Sequence, residues 1–327
     1  MKRVSVIIPY FQRDAGVLTR ALTTVFDQDV ADTLVDVVVV DDASPRAPTA
    51  DIAAAGAPPQ HVSVRIIRRE NGGPAAARNS GLDVLGADCD AVALLDSDDL
   101  WATDHLRRAL AALSEGCDLY FSDHLDGDGR SHFEAPDIAR RLRDLHLQPL
   151  TADGLFRCEP GDLAALCAEA YLAHTSSIVF TPGHRRSTRF DTVLRSAGED
   201  HLFFLDLVLG AEAVALSRSL DVRLGRGVNI YASAQTWGTP EDLRRRAFNL
   251  YAKRQMIGRA NWPEDLRRRL ERAAGQARDT VGYLCLRGLL TRPRETWPEV
   301  VRVWSLDRSA LLRAPFSLLH RPPRQEA

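Results

Sequence analysis

The stretch ALLDSDDLW (93–101) sets three aspartates directly after a run of aliphatic residues. That run has the composition of a buried strand, and Asp96, Asp98 and Asp99 follow at its carboxyl end. Like charges this close together repel one another unless a cation lies among them. Mg2+ and Mn2+ prefer carboxylate oxygens, and commonly bind through one or two carboxylates together with substrate phosphates. The stretch therefore indicates a sheet strand that ends at a candidate metal site. The alternative is that Asp98 and Asp99 only cap the next helix.

The first half of the chain repeats a strand-then-helix pattern around this stretch. Short β-branched runs predict strands over 3–8, 35–40, 61–67, 90–95 and 117–123, and apolar periodicity predicts helices over 14–27, 74–86 and 103–113. Strands that alternate with helices and are apolar on both faces are typical of a mostly parallel, Rossmann-like α/β sheet. Ligands of such sheets bind beyond the carboxyl ends of the strands. The loops PYFQRD, DDASP and DSDD are therefore expected along one edge.

The second half of the chain changes character twice. Residues 124–170 are polar and turn-rich, a strand is predicted over 175–182, and a helix with an acidic start is predicted over 199–210. After Pro240 the sequence becomes amphipathic helix with Pro near the helix starts. We expect a catalytic domain over 1–238, with a nucleotide-binding half (1–123) and an acceptor-binding half (124–238). A helical C-terminal region over 239–327 is expected to follow.

Composition excludes several classes of protein. The 327 residues include 42 Lys and Arg and 44 Asp and Glu, so the net charge of −2 gives no electrostatic basis for binding nucleic acid. Five cysteines without a CxxC pair argue against a disulfide framework or a zinc site, and favour a reducing compartment. No leader pattern and no apolar run of roughly 18–20 residues is present. These features predict a cytoplasmic location.

Glycine-rich phosphate loops are missing. The loop after the first strand, PYFQRDAGV, has no GxGxxG, and the chain has no GxxxxGK[ST]. A dehydrogenase or a P-loop NTPase is therefore disfavoured. A nucleotidyltransferase is disfavoured as well, because a glycine- and lysine/arginine-rich loop is expected near its N-terminus. A bound nucleotide would need another way to neutralise its phosphates.

Five segments, taken together, resemble the family 2 glycosyltransferases of GT-A fold. The segments are VSVIIPYFQRD (4–14), VVVVDDASP (37–45), RENGGPAAARNSGL (69–82), ALLDSDDLW (93–101) and AGEDHLF (197–203). Each is weak alone, but their order and spacing match over residues 3–210, about two thirds of the chain. The resemblance implies an inverting transferase that uses a nucleotide-diphosphate sugar, usually a UDP-sugar, with Mn2+ or Mg2+.

The same resemblance implies roles for individual residues. It places around the nucleotide Pro9, Phe11, Asp41, Asp42, Asn71, Gly72, Gly73, Arg78, Asn79 and Asp96. Pro9 and Phe11 would shape the pocket for the base, and Asp42 rather than Asp41 would accept from the base N3–H. Asp98 would be the better metal ligand, with Asp96 as a second ligand or a ribose contact. Ordinary turn chemistry, a core aromatic and a surface ion pair are the structural alternatives.

Glu199 and Asp200 form the other implied chemical centre. An inverting transfer needs a base to take the proton of the acceptor hydroxyl. By resemblance Asp200 is that base and Glu199 positions the acceptor. Seen alone, the pair is better explained by the preference of acidic residues for a helix N-terminus.

The sequence departs from its relatives at the place of an Arg-x-His segment, where Asn229 and Tyr231 stand instead. His201 and His174 are possible substitutes, so the third protein ligand stays open. The QxxRW signature of processive synthases is absent, which favours single addition. The segment 227–239 is similar to exopolysaccharide glucosyltransferases of the succinoglycan type.

The expected activity is hexosyl transfer to a glycan or lipid-linked saccharide in cell-surface or exopolysaccharide assembly. The alternative is a non-catalytic module that binds a sugar nucleotide or glycan on a retained GT-A fold. Residues 280–321 mix basic residues with Leu, Trp and Phe. This mixture suits either a helix at the inner face of the membrane or helices packed on the catalytic domain.

Overall fold

A computed structural model describes residues 1–30, 32–151, 154–195, 197–225 and 236–317. The chain forms two compact units. Residues 1–192 and 203–228 make the first, and residues 193–202 and 229–327 make the second.

The first unit is built on a ten-stranded sheet within the described residues. The strands are β1 (Lys2–Tyr10), β2 (Thr33–Asp41), β3 (Val62–Arg68), β4 (Ala91–Leu94), β5 (Leu100–Trp101), β6 (Leu119–Leu125), β7 (Leu147–Pro149), β8 (Leu155–Cys158), β9 (Val179–Phe180) and β10 (Val214–Arg223). Their order is β3-β2-β1-β4-β9-β6-β10-β8-β7, and β5 pairs with β10. The pairs β1–β2, β2–β3, β1–β4 and β6–β10 are parallel, whereas β5, β7, β8 and β9 pair antiparallel.

The strand order reverses at β1. The chain runs outward through β2 and β3 and then returns to place β4 on the other side of β1. In open α/β sheets such a reversal leaves a crevice beyond the carboxyl ends of the two strands that flank it. The candidate site is therefore expected where β1 and β4 end.

Helices cover the sheet and connect its strands. They are α1 (Val17–Phe26), α2 (Thr49–Ala54), α3 (Pro74–Asp83), α4 (His105–Ser114), α5 (Pro136–Arg143), α6 (Pro160–Glu169) and α7 (Glu199–Leu209). Leu18 and Leu22 of α1 are fully buried in one core with Val4, Val6 and Ile8 of β1. This packing fixes the position of β1 and therefore of its last residues at the carboxyl edge of the sheet.

The second unit is helical. It contains α8 (Pro240–Arg259), α9 (Glu264–Thr291) and α10 (Pro293–Ser317). Leu243 and Leu250 of α8 share a core with Val281 and Leu284 of α9, and Val303 of α10 joins them. At the start of α8, Thr239 Oγ1 accepts a hydrogen bond from the Asp242 amide at 3.2 Å, which is the geometry of a helix N-cap.

The expected fold class is confirmed: a mixed α/β sheet, mostly parallel in its first half, carries flanking helices and C-terminal helices follow. All five cysteines are buried and free. Among the described residues, no helix combines the length and the apolar character that crossing a bilayer requires. The domain boundary at residue 238 stays a prediction.

Candidate active site

The loops after β1, β2 and β4 are joined by a hydrogen-bond network of buried and half-buried polar side chains. Gln12 Nε2 donates to Ser97 Oγ at 3.0 Å. Ser44 Oγ accepts from the Gln12 amide at 2.9 Å and donates to the Gln12 carbonyl at 3.0 Å. The Ser44 amide in turn donates to Asp41 Oδ1 at 2.9 Å. These hydrogen bonds hold the ends of three strands together, as expected for the edge where a parallel sheet binds its ligand.

Asp42 organises the glycine-rich loop that precedes α3. Its carboxylate accepts from the amides of Gly72 at 3.0 Å and Gly73 at 2.8 Å, and pairs with Arg69. Asn71 Nδ2 donates to the Asp42 carbonyl at 3.0 Å. The aspartate is only 3% exposed. Its present partners already use both carboxylate oxygens, so its visible role is to fold the loop against the end of β2.

Arg78 of α3 neutralises the first aspartate of the DSDD stretch. Arg78 Nη2 lies 2.6 Å from Asp96 Oδ1, and the guanidinium stands over the Phe190 ring at 5.1 Å. Burial alone would raise the pKa of Asp96, but the Arg78 charge, followed by that of His174, holds it below its usual value. Arg78 thus keeps Asp96 ionised at the edge of the sheet.

Asn79, the neighbour of Arg78, acts on the backbone rather than on the acids. Its amide group donates to the Phe190 carbonyl at 2.9 Å and accepts from the Phe190 amide at 2.8 Å. The Phe190 ring is stacked on Phe203 at 3.8 Å between centroids. Asn79 therefore fixes the aromatic platform under the Arg78 guanidinium.

Asp99 is held in place by a serine distant in sequence. Ser176 Oγ donates to Asp99 Oδ2 at 2.5 Å and accepts from the Asp96 amide at 2.9 Å. The carbonyl of the same serine accepts from Trp101 Nε1 at 2.7 Å. Ser176 is fully buried. It therefore ties both ends of the DSDD turn to the short helical turn 175–177.

Gly225 closes the other side of this turn. Its amide donates to Asp99 Oδ1 at 2.8 Å. A Cβ at this position would lie 1.7 Å from the Asp98 carbonyl oxygen, a distance that no side chain can occupy. Only glycine therefore allows the chain after β10 to approach the acids this closely.

Asp96, Asp99 and His174 form a three-residue group that could hold a metal ion. One ligand atom of each lies within 4.8 Å of the others, and His174 Nδ1 is 3.3 Å from Asp99 Oδ2. Ligand atoms bound to one cation at about 2.1 Å stand about 3 Å apart when their bonds are perpendicular. A ligand set of two carboxylates and one imidazole suits Mn2+, Zn2+ and other borderline cations better than it suits Mg2+. The residues present fit a divalent cation.

The electrostatics of Asp99 agree with that fit. Burial raises the pKa of Asp99 to about 7, with Asp96 and Asp98 adding to the rise and His174 opposing it. An ionised carboxylate in such surroundings costs free energy unless a positive charge compensates it. A cation between Asp96 and Asp99 would supply that charge.

Two further histidines lie behind His174. His124 stands 5.6 Å from the His174 ring and is stacked on His132 at 4.5 Å. Burial, and then the neighbouring His174 and His132, lower the pKa of His124 to about 2. His124 is therefore a neutral ring that packs behind the candidate ligand without adding charge.

Glu199 and Asp200 begin α7, and belong to the second unit. Glu199 is 7% exposed, and Asp200 Oδ1 accepts from the His201 amide at 2.8 Å. Gly198 precedes them with φ of 87°, and a Cβ there would meet Ala252 Cβ at 2.9 Å. Glycine is required for both reasons, so the start of this acidic helix is closely fixed against α8.

Comparison with known proteins identifies the family. The sequence profile described as "Glycosyl transferase family 2" matches residues 5–170. The chain is 36% identical over 237 residues to the succinoglycan biosynthesis protein ExoW of Rhizobium meliloti (strain 1021), a match that covers 71% of this chain and 72% of that protein. The chain belongs to glycosyl transferase family 2. A second protein of that organism, ExoO, is 33% identical over 197 residues, which cover 58% of this chain and 51% of ExoO.

Solved structures share the fold of this family 2 glycosyltransferase. S. aureus TarS matches with a TM-score of 0.60 at 18% identity, over 98% of this chain and 53% of TarS. TarS 1–349 in complex with UDP-GlcNAc matches at 0.59 and 18% identity, over 97% of this chain and 88% of that one. The mannosyltransferase PcManGT from Pyrobaculum calidifontis, in complex with GDP-Man and Mn2+, matches at 0.56 and 16% identity, over 98% and 88%. These likenesses support the expected GT-A class.

The sequence-predicted residues fall into distinct places in this glycosyltransferase. Most of the proposed nucleotide residues lie at the carboxyl ends of β1, β2 and β4 or in the loop and helix that follow β3, and Pro9 itself pairs with Val40 inside the sheet. Phe11 is half-buried just after β1. Asp98, predicted as a metal ligand, is half-buried and is not in the group of Asp96, Asp99 and His174. Asn229 and Tyr231 lie outside the described residues.

Three residues of the site went unrecognised or were undervalued in the sequence. Ser176 and Gly225 carry no pattern of their own, because their roles depend on chain segments about eighty to a hundred and thirty residues from the acids they bond. Asp99 was ranked below Asp98, although it is the more buried of the two. His174, one of the two histidines named from the sequence as possible substitutes for the missing ligand, is in the group with Asp96 and Asp99, and His201 is not.

Proposed function

We propose that this chain is a metal-dependent, inverting hexosyltransferase. It would move a sugar from a nucleotide-diphosphate donor, a UDP-hexose, to a hydroxyl of a glycan or lipid-linked saccharide in cell-surface or exopolysaccharide assembly. Three comparisons support the choice: the family, the succinoglycan proteins among its relatives, and a structural neighbour bound to UDP-GlcNAc. The proposed place of work is the cytoplasm, at the inner face of the membrane.

The observation that carries the proposal is the cluster of Asp96, Asp99 and His174 at the end of β4, beside the reversal of strand order at β1. A nucleotide would lie in the crevice beyond β1 and β4, with its diphosphate towards these acids. When bound, a divalent cation would offset the charge that develops on the departing diphosphate. The neighbour that carries Mn2+ with GDP-Man is consistent with this chemistry.

The chain's own residues would prepare the donor. Pro9 and Phe11 would border the base, and Asp41 or Asp42 would meet its N3–H. Since Asp42 is already engaged by Gly72, Gly73 and Arg69, it would reach the base only by giving up one of these partners. Arg78 would keep Asp96 ionised and oriented, so that Asp96 could serve the cation or the ribose.

The transfer step needs a base on the acceptor side. The acceptor oxygen would attack the anomeric carbon, the bond from that carbon to the diphosphate oxygen would break, and the hydroxyl proton would pass to Asp200. Glu199 would orient the acceptor. Attack opposite the leaving group inverts the anomeric configuration, and no covalent sugar–enzyme intermediate is needed.

Donor hydrolysis and metal binding test the proposal together. Purified full-length protein is mixed with UDP-glucose, UDP-galactose, UDP-GlcNAc or GDP-mannose, with and without Mn2+, and release of the nucleoside diphosphate is measured. We expect hydrolysis of at least one UDP-sugar that depends on Mn2+ and is lost in Asp96→Asn. Asp128→Asn, which changes a 64% exposed carboxylate, is the control and should keep wild-type turnover.

Two single variants separate the candidate ligands, and a third separates the base. Asp99→Ala should abolish Mn2+ binding in calorimetry if the group seen in the structure is the site, whereas loss in Asp98→Ala alone would favour the family motif. Asp200→Asn should keep Mn2+-dependent UDP binding and lose transfer. Wild-type transfer by Asp200→Asn would remove Asp200 as the base. Binding of the donor with no turnover under any condition would favour a non-catalytic module.

A further inference from the structure

The outer face of α10 carries an unusual row of apolar side chains. Trp297, Val301 and Trp304 follow one another at helical spacing and are 60%, 52% and 54% exposed. We call these three residues the α10 stripe. The opposite face of the same helix is buried, with Val303 at 1% and Glu299 at 2% exposure. A helix that has already buried one apolar face normally shows water a polar face, so this second apolar face needs a partner.

Unpaired cations flank the stripe. Arg294 lies three residues before Trp297 and Arg308 four residues after Trp304, both are exposed, and neither pairs with an acid among the described residues. Of the three acids in α10, Glu299 is buried against Arg244 and Arg302, and the exposed Glu295 lies about 160° around the helix from Trp297. The charge that this face shows to its surroundings is therefore positive.

Asp307, the third acid of α10, is also neutralised. Asp307 is 4% exposed and pairs with Arg278 at 3.1 Å and Arg254 at 3.3 Å. The helix kinks at Asp307, and beside the kink opens a cavity of 490 Å³ lined by Arg254 and residues 304–309. Trp304 and Arg308 both border this cavity, so an aromatic ring and an unpaired guanidinium stand at one opening.

The surrounding region has the matching charge. Residues 236–317 contain 17 Lys and Arg against 9 Asp and Glu, although the whole chain has a net charge of −2. Basic charge concentrated around exposed Trp is what an anionic lipid surface attracts, because indole rings favour the headgroup region and each basic residue near the surface adds to the electrostatic attraction. A second copy of this chain would bring the same positive region against itself.

We propose that the α10 stripe docks on an anionic phospholipid bilayer, with Trp297 and Trp304 in the headgroup region and Arg294 and Arg308 on lipid phosphates. The inference gives a surface to the membrane contact of the proposed function, but the docking needs no chemistry at the acidic cluster. An acceptor anchored in the same bilayer would then be met by diffusion in two dimensions.

Vesicle flotation tests the docking. Full-length protein is mixed with vesicles of phosphatidylcholine alone or with about a third phosphatidylglycerol, and the floated fraction is measured at low and high salt. We expect flotation with the anionic vesicles only, and a decrease at high salt because surface charges are screened. Trp297→Ala with Trp304→Ala should weaken the association about tenfold or more. The matched control, Val84→Ala with Leu220→Ala, removes exposed apolar side chains elsewhere and should leave it unchanged.

A charge-matched pair and a fluorescence measurement sharpen the result. Arg294→Glu with Arg308→Glu should lose binding, whereas Arg143→Glu with Arg272→Glu, which changes net charge equally, should keep most of it. Brominated lipids should quench wild-type tryptophan fluorescence and fail to quench Trp297→Phe with Trp304→Phe. Equal flotation of wild type and the double alanine variant would overturn the proposal.

Sedimentation addresses the other occupant of the stripe. A dimer that becomes a monomer in Trp297→Ala with Trp304→Ala, together with no flotation of the wild type, would assign the stripe to a second copy and overturn docking. Donor hydrolysis measured on the same preparations keeps the two proposals apart. Vesicle binding without hydrolysis would contradict the proposed function alone, and hydrolysis without vesicle binding would contradict the docking alone.

Discussion

The hydroxyl of Ser176 donates a hydrogen bond to the carboxylate of Asp99 at 2.5 Å, although the two residues are 77 positions apart in the chain. The same hydroxyl accepts the amide of Asp96. Removing a group that orients a metal ligand in this way commonly lowers the affinity for the metal by about 10- to 100-fold.

Ser176→Ala should therefore weaken Mn2+ binding by about tenfold or more, measured by calorimetry on the full-length protein. Ser122→Ala is the matched control, because Ser122 is also a fully buried serine but its hydroxyl has no hydrogen-bond partner among the described residues. Equal Mn2+ affinity in the two variants would show that Ser176 does not orient Asp99.

Gly225→Ala should damage the same site through the backbone. The new methyl group would stand 1.7 Å from the Asp98 carbonyl oxygen, so the chain must move and the bond from the Gly225 amide to Asp99 is lost. We expect Mn2+ affinity to fall by about tenfold. Gly161→Ala, where a Cβ meets nothing within 4 Å, should bind Mn2+ like wild type. Unchanged affinity in Gly225→Ala would exclude this strand end from the site.

Arg78→Ala should lower stability because it leaves Asp96 without its strongest partner. Arg78 is 5% exposed at its side chain and Asp96 21%, and removing one member of a largely buried ion pair costs about 3 kcal/mol. The exposed pair of Arg189 and Asp83 gives the comparison: Arg189→Ala should cost less than about 1 kcal/mol. Urea unfolding followed by circular dichroism measures both, and equal losses would argue that the Arg78 pair is effectively solvated.

Gly198→Ala should destabilise the start of α7. Its φ of 87° disfavours any residue with a Cβ, and the added methyl would press on Ala252, so we expect a loss of about 1–3 kcal/mol. Gly258→Ala, inside α8 and with open space around its Cβ position, should instead gain up to about 1 kcal/mol. Thermal unfolding compares the two. If Asp200 is the base, the rate of sugar transfer by Gly198→Ala should fall by more than the loss of folded protein explains.

Acid stability should depend on Asp221. Burial would raise the pKa of this carboxylate, but His105, Tyr120 and Arg108 together hold it below its usual value. A depressed pKa in the folded state stabilises the fold above the unfolded pKa of about 4, and this contribution is lost as the pH falls through the folded value.

Between about pH 5 and pH 3, the free energy of unfolding of wild type should therefore fall more steeply than that of Asp221→Asn. Denaturant titrations at several pH values measure the two slopes. Asp128→Asn, at an exposed position, should follow wild type. A slope in Asp221→Asn as steep as that of wild type would contradict the role of Asp221.

The sequence foretold the parts of this structure that local chemistry specifies. The segments that become β1 and β2 are dominated by β-branched Val and Ile, and the acidic helix α7 begins at its expected residue, Glu199. Strand β9 (Val179–Phe180) lies inside the strand predicted over 175–182, whereas the three-residue β7 is too short for an argument from periodicity. The sequence does not predict β10, because Ser217, Arg218, Ser219 and Asp221 interrupt its apolar pattern.

The site shows the same division. The acids of DSDD could be recognised from the sequence, because several like charges directly after an aliphatic strand repel one another unless they have a function. The sequence could not predict which of these aspartates is buried. Asp99 is held by hydrogen bonds from Ser176 and Gly225, and both residues lie much later in the chain. The pairing of Arg78 with Asp96 was likewise hidden, because it depends on how α3 lies across the end of β4.

The hydrogen bonds among Gln12, Ser44 and Ser97 bear on how this scaffold could be re-engineered. Contacting residues of one network rarely contribute independently, so exchanges that are harmful singly can be harmless as a set. A mutant library meant to alter donor preference should randomise the three codons jointly. Scanning one position at a time would discard the compatible combinations. It would then wrongly suggest that each of the three positions tolerates no substitution.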